Sequence, residues 1–394
     1  MTTPRHARLA AADSGAGELV TRLLDVAMRG LPTMYRQDTD EFAFTRAAVG
    51  GSGDGTSTEL RGVSTRYAAI VALGALWLTD SAQRTVLSGH GAADFTAMLI
   101  RRLPDVTNLG DAALICWAAA AGRHPMLPEA LARLRALDEK PGPRYVVEAA
   151  WVVAALATAR GQADVEDLLK RSRDTLLTSR HPGSPLFPHA TAPGLLPWYR
   201  THVACFADQV YPIQALARLH QSGDDAAALA AAEECATRIC DLQGGGGQWW
   251  WHYDSRTGRV VEGYPVYSVH QHAMAPMALL DLAEAGGSDR TAEIVRGLRW
   301  MTNPVELGDD PPPMILDDAG LTWRKVHRGD PRKLVRAAQG LTTRAAPGVR
   351  LRPVERIFRP TAVDRECRPY EFGWLLHTWL GGLDLPADTK RAAQ

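Results

Sequence analysis

The chain has 394 residues, 46% hydrophobic and 22% charged, with 44 basic side chains balanced by 44 acidic ones. Balanced charge without a basic run excludes nucleic acid as the main partner, because phosphate binding needs a basic footprint. Five cysteines, at 116, 205, 235, 240 and 367, form no CxxC pair and exclude a disulfide framework or a zinc ribbon.

The opening residues, MTTPRHARLAAADSGAGELV, lack the apolar core of a secretory leader. No stretch approaches the roughly 20 apolar residues of a membrane span. A soluble, cytoplasmic protein is expected, with residues 1–16 and 385–394 as flexible tails. From residue 17 two kinds of helix alternate. GELVTRLLDVAMRGL is amphipathic, with one face for water. Residues 37–62 read as a short hairpin. STRYAAIVALGALWL, from Ser64, is apolar most of the way round, which marks a buried helix.

The alternation continues with amphipathic SAQRTVLSGHGAADFTAMLIRRL, buried NLGDAALICWAAAA from Asn108, amphipathic LPEALARLRALDE and buried RYVVEAAWVVAALATA from Arg144. Amphipathic ADVEDLLKRSRDTLLTS leads to a proline-rich loop, 180–202, too broken to be helical. Buried ACFADQVYPIQALARL from Ala204 and amphipathic DDAAALAAAEECATRICDL then end at GGGG, a helix stop rather than a phosphate cradle, since it opens no helix. After WWWHYD comes buried YSVHQHAMAPMALLDL from Tyr267, then amphipathic RTAEIVRGLRWM. Residues 303–360 form a long insert or lid with strand-like pieces near GLTWRKV, and CRPYEFGWLLHTWLGG from Cys367 is the sixth buried helix. Six helical hairpins stacked face to face predict an all-α fold, a single closed (α/α)6 toroid over 1–394 with short irregular or β-hairpin inserts. An open solenoid or an irregular helical domain is the plainer alternative.

Polar residues cluster where the buried helices begin: Arg66 and Tyr67, Asn108 and Asp111, Arg144 and Glu148, Asp208 and Tyr211, Arg368, Tyr370 and Glu371. The later turns of the same helices read as almost wholly apolar. Buried polar groups are costly unless paired or wetted, so these starts predict a wet cavity at one end of the ring. Taken singly, each residue also fits a helix cap or an ion pair. His270, with Tyr267 three residues before it on one helical face, is the expected proton mover, assisted by Glu148, Asp208 or Glu371. Paired carboxylates suit glycoside chemistry, and an acid held protonated suits a cation cascade. Trp249, Trp251, His252, Asp254, Tyr264 and His272 complete the expected substrate wall, together with Arg66, Tyr67, Asp111, Arg144, Tyr211, Arg368 and Tyr370. His270 and His272, two apart on a helix, point different ways, so no metal and no other cofactor is expected.

Gln243-Gly-Gly-Gly-Gly247-Gln-Trp249 resembles one QxxxGxW repeat of the terpenoid-cyclase and prenyltransferase toroids. That resemblance implies an α/α barrel with an aromatic-lined cavity and a prenyl diphosphate substrate. Only one repeat is present, and the family's DxDD and DDxxD acid motifs are absent; LDD at 316–318 and GDD at 308–310 are the nearest pieces. The alternation along the whole chain resembles the six-hairpin glycosidase toroids, which include sugar epimerases, unsaturated uronyl hydrolases and uronate lyases. This second resemblance implies a carbohydrate-active enzyme with a small-molecule or oligosaccharide substrate, a sugar or uronate, and Arg66, Arg144 and Arg368 facing its carboxylate. A non-catalytic binding toroid is the third reading.

Overall fold

The computed structural model describes residues 3–50 and 57–382. Twelve helices build the ring. The first half runs α1 (Ser14–Gly30), α2 (Thr65–Ala75), α3 (Ala92–Arg101), α4 (Leu109–Ala121), α5 (Leu127–Asp138) and α6 (Val146–Ala159). The second half runs α7 (Glu166–Thr178), α8 (Ala207–Gly223), α9 (Ala226–Asp241), α10 (Ala275–Glu284), α11 (Thr291–Trp300) and α12 (Pro369–Leu380). Each even-numbered helix packs on the next, and α12 returns to pack on α2, so the inner ring closes. The odd-numbered helices cover it from outside, and α1 from the start of the chain covers α12 from its end. The fold is an all-α (α/α)6 toroid.

The local reasons match the sequence pattern. In α4 every residue from Ala112 to Ala121 is buried, because helices on both sides and one behind leave it no wet face. In α1 the large buried side chains form one stripe, Leu19, Val20, Leu23 and Val26, at the spacing of one helical face. Side-chain caps fix several starts: Asp13 accepts from the backbone of Ala16, Ser64 from Tyr67, Asn108 from Asp111 and Asp225 from Ala228.

Short strands lead into the inner helices. Thr45–Ala48 pairs antiparallel with Thr58–Arg61, within the expected hairpin, and on its other side with Glu366–Cys367, which precedes α12. Val203–Cys205, ahead of α8, pairs with His252–Asp254, and Val266–Tyr267 pairs with Lys325–His327 of the insert. The β pieces therefore rim one end of the ring, where the inner helices begin. Residues 180–202 are irregular apart from one short turn at Trp198–Arg200.

Four expectations change. The N-terminal segment is no tail: Thr3 caps a helix, Pro4–Ala12, and Arg5 is buried. The 385–394 tail lies outside the described residues. The second amphipathic run is two helices, Asp80–Val86 and Ala92–Arg101, broken where Ser88 and Gly89 take positive φ. Tyr267 ends a strand, and His270–Met274 forms one π-helical turn before α10, so Tyr267 and His270 do not share a helix. Finally, the far ends of the inner helices are not wholly apolar. Arg5 reaches Asp281 at 2.5 Å, Arg218 reaches the same carboxylate at 2.9 Å, and Arg218 also approaches His377 at 3.3 Å. Behind Tyr211 the barrel is filled: Trp374 packs on Tyr211 and Trp117, and His377 packs on both tryptophans.

Candidate active site

Three polar clusters line the end of the ring where the inner helices start. The first spans α2, α4 and α6. Arg66 donates to Asp111 at 2.6 Å and to Asn108 at 2.9 Å, and Asn108 donates onward to Glu148 at 2.8 Å. The guanidinium lies 5.3 Å from the Trp151 ring centre. Arg66, Asp111 and Glu148 all keep part of their surface in water, so these carboxylates are open to a ligand.

The second cluster joins α2 to α12 and the insert. Arg368 donates to the Tyr67 hydroxyl at 3.0 Å and to Glu366 at 3.1 Å, while Tyr67 and Tyr370 pack with ring centres 4.6 Å apart. Glu371, at the start of α12, is fully buried, and neither carboxyl oxygen accepts a hydrogen bond among the described residues. Its nearest cation is Arg324 at 3.8 Å. Burial pushes the Glu371 carboxyl up to about 8, against the pull of Arg324 and Arg368. It is therefore a neutral acid at pH 7. Arg324 also lies over the Tyr267 ring at 5.0 Å, as Lys325 does at 5.5 Å.

Arg324 and Tyr267 open onto a cavity of about 560 Å³ under the insert. Six cations line it, Arg324, Lys325, Arg328, Arg332, Lys333 and Arg336, against three acids, Glu262, Asp330 and Asp364. Tyr264 contributes its ring to the wall and donates its hydroxyl to Glu306 at 2.9 Å. The charge excess suits an anionic ligand.

The third cluster sits at the start of α8. Asp208 is fully buried and accepts from the backbone of Cys205 at 2.6 Å, while His189 of the proline-rich loop holds the same oxygen at 2.8 Å. Asp208 keeps the His189 imidazolium above its ordinary range, outweighing partial burial. The other Asp208 oxygen, Oδ1, has no hydrogen-bond partner among the described residues.

Several expected site residues are placed elsewhere. His270 is buried, stacked on Trp251 with ring centres 5.6 Å apart and against Phe206 at 4.5 Å. Burial, with Arg324 adding to it, pushes its imidazole down to about 3, so it is a neutral packing residue. His272 is fully buried, neither ring nitrogen is hydrogen-bonded among the described residues, and burial alone pushes it to about 3. Trp249 is fully buried against Phe206 and serves the turn. Asp254 is buried and paired with Arg256 at 2.8 Å. Arg144 is tied to Asp138 of α5. Tyr211 is buried and accepts from Trp374 at 2.9 Å. His252 is buried beside Trp251. Trp251 and Tyr267 remain near the cavity side, and Arg66, Tyr67, Asp111, Glu148, Arg368, Tyr370 and Glu371 come together at the mouth.

Sequence reasoning missed Arg324, Lys325, Arg336, His189 and Cys205. All but Arg336, on the insert's helix Leu334–Ala345, lie on loops and short strands. The usable signal was that long loops in a compact domain tend to carry function.

No family model matches the sequence, and no curated protein matches it. Solved structures do. The chain is similar to an unsaturated glucuronyl hydrolase specific for heparin, at 13% identity and a TM-score of 0.58, covering 95% of this chain and 98% of that one. It is similar to the unsaturated glucuronyl hydrolase of Bacillus sp. GL1, responsible for glycosaminoglycan degradation, at 13% identity and a TM-score of 0.56, covering 93% and 96%. A glycosidase in complex with glucose matches at 13% identity and a TM-score of 0.50, covering 92% and 97%. These likenesses establish the shared fold.

Proposed function

We propose that this protein is a carbohydrate-active enzyme that works by acid/base chemistry on a sugar carrying a carboxylate. One observation carries the reading: two water-accessible carboxylates, Asp111 and Glu148, joined through Arg66 and Asn108 on three successive inner helices. Positioned carboxylates of this kind give and take protons at a glycosidic centre. Arg368 and Arg324, with the cationic cavity beside them, supply guanidiniums for a uronate carboxylate. Trp251, half-buried beside Tyr267, offers aromatic surface for a sugar. The glucuronyl hydrolases that share the fold support the same substrate class. Glu371 acts behind this surface as a buried neutral acid beside Arg324 and not as the proton donor itself, because its oxygens are shut off from solvent.

The prenyl diphosphate reading needs a deep apolar chamber, and Trp117, Trp374 and His377 occupy that space. The saccharide therefore belongs at the mouth. The test is turnover and thermal shift across a panel of saturated and unsaturated uronyl disaccharides, with neutral disaccharides and prenyl diphosphates as controls. Uronyl sugars raise the apparent stability and are turned over, since a ligand bound only by the folded chain stabilises it. Glu148→Gln and Asp111→Asn each cut kcat by about 10²–10⁴-fold while folding normally. Response to no saccharide, or full activity in both variants, overturns the reading and leaves the binding toroid.

A further inference from the structure

The third cluster has the makings of a metal site. His189, Cys205 and Asp208 each offer one ligand atom, and these atoms lie within 4.8 Å of one another. A tetrahedral zinc with bonds of about 2.0–2.3 Å sets its ligands roughly 3.3–3.8 Å apart, inside the range from the 2.8 Å His189–Asp208 contact to that limit. The donors are an imidazole, a thiol and a carboxylate, a set that suits a borderline-soft divalent cation and not magnesium or calcium.

A second observation points the same way. Asp208 is fully buried, yet its Oδ1 has no hydrogen-bond partner among the described residues. A lone buried carboxylate oxygen is costly, and a bound cation is one of the few partners that removes the cost. Next to Cys205, as its direct cross-strand partner, stands His252, buried and with Nδ1 likewise unpartnered. Residues so paired project to the same face of a sheet. Two of the ligands are placed by the fold: Cys205 ends a strand, Asp208 lies in the first turn of α8, and the backbone bond from Cys205 to Asp208 fixes their spacing. His189 is partly exposed, which gives an ion a way in.

We propose that His189, Cys205 and Asp208 bind one zinc-class divalent cation with a fourth position left for water or substrate. Binding turns the Cys205 thiol into a thiolate and strips His189 Nδ1 of the proton it shares with Asp208, and both protons leave to solvent. Thiolate and carboxylate then balance the charge of the ion. The site uses residues other than the Asp111–Glu148 pair, so it stands or falls separately from the proposed reaction.

The experiment is a cobalt(II) titration of the full, chelator-stripped chain under reducing conditions, followed by absorbance. A thiolate-to-cobalt charge-transfer band saturates at about one equivalent, with the intense visible bands of a tetrahedral ion, and zinc displaces it. The band disappears in Cys205→Ser and persists in Cys235→Ser, whose sulfur lies buried on α9. His189→Ala, at a partly exposed loop position, weakens binding by at least about tenfold. Circular dichroism of each variant confirms the fold. No band in the wild-type chain at a roughly tenfold excess of cobalt, or an equal band in folded Cys205→Ser, overturns the proposal. Neither result touches the turnover of uronyl sugars by which the proposed function is judged.

Discussion

Glu371 shows how one residue's environment sets its chemistry. On an exposed helix start it would be an ordinary carboxylate; inside the ring, with no hydrogen bond to either oxygen, it keeps its proton up to about pH 8. The sign of the stability effect follows. Between the unfolded value of 4.5 and the folded value of about 8, the folded chain holds a proton that the unfolded chain has lost. Glu371 therefore lowers stability increasingly as pH rises through that window. Glu371→Gln, which keeps the shape and removes the charge, melts at a temperature near wild type at pH 5 and increasingly above it toward pH 8. A gap that shrinks as pH rises sinks this account. His270, His272 and His377 run the other way. Each is pushed by burial to about 3, so each is neutral when folded and gains a proton on unfolding below its ordinary 6.5. Their contribution is present above pH 6.5 and is lost as the pH falls toward 3. Thermal melts of His272→Gln, whose amide takes no proton, should show a shallower loss of stability between pH 6.5 and 4 than wild type.

At the scale of elements, two devices hold the hairpins in register. The first is the N-terminal helix, Pro4–Ala12, whose Arg5 crosses to Asp281 and Glu284 on α10 and donates to the Thr378 carbonyl on α12. Burial opposes the charge on Asp281, but Arg218 and Arg5 overcome it and hold the carboxyl below its usual range. Removing one partner of a buried pair leaves the other charge stranded, at a cost of about 3–5 kcal/mol. Arg5→Ala, which leaves Asp281 its bond to Arg218, should lose up to that much in chemical denaturation, whereas Arg22→Ala, whose bond to Asp317 is exposed, should lose less than about 1 kcal/mol. The second device is the glycine turn after α9. Gln243 donates to the carbonyls of Gly247 and of Glu293 on α11, and a Cβ at Gly247 would lie 2.0 Å from the Arg296 carbonyl at a φ of 91°. The QxxxGxW resemblance thus rests on a structural tie between α9 and α11, a use that the motif's sequence alone could not separate from a catalytic one. Gly247→Ala should lower the melting temperature by several degrees with turnover per folded molecule unchanged.

At the scale of the molecule, closure of the ring is what makes a mouth. The seam between the first and last inner helices is a glycine contact: a Cβ on Gly74 would meet the Gly373 carbonyl at 2.4 Å, and one on Gly373 the Ile70 carbonyl at 2.8 Å. Backbone contact this close brings Tyr67 of α2 within reach of Arg368 and Tyr370 at the head of α12. Gly373→Val should open the seam, costing stability and loosening uronate binding together, because the two sides of the second cluster would part. The cationic cavity predicts a further whole-molecule property. Uronate affinity should fall steadily with added salt, while binding of any neutral sugar should not. Parallel titrations at low and high ionic strength decide it.

The alternation of amphipathic and all-apolar helices was legible in the sequence because it reports only how many faces of each helix meet water. That count fixed six hairpins, the inner and outer assignment, the proline-rich loop and the polar helix starts that form the mouth. Tertiary structure decided which of those starts matter, because whether a polar side chain is wet, paired or stranded depends on neighbours far away in the chain. His270 read as the proton mover at the start of an inner helix and is sandwiched between Trp251 and Phe206. Arg5 looked like part of a tail and anchors the far end of the ring. His189, Cys205 and Asp208 come from a loop, a strand end and a helix start, and no spacing rule joins them. Periodicity along one chain records solvent; convergence of side chains is created only when the sixth hairpin closes on the first.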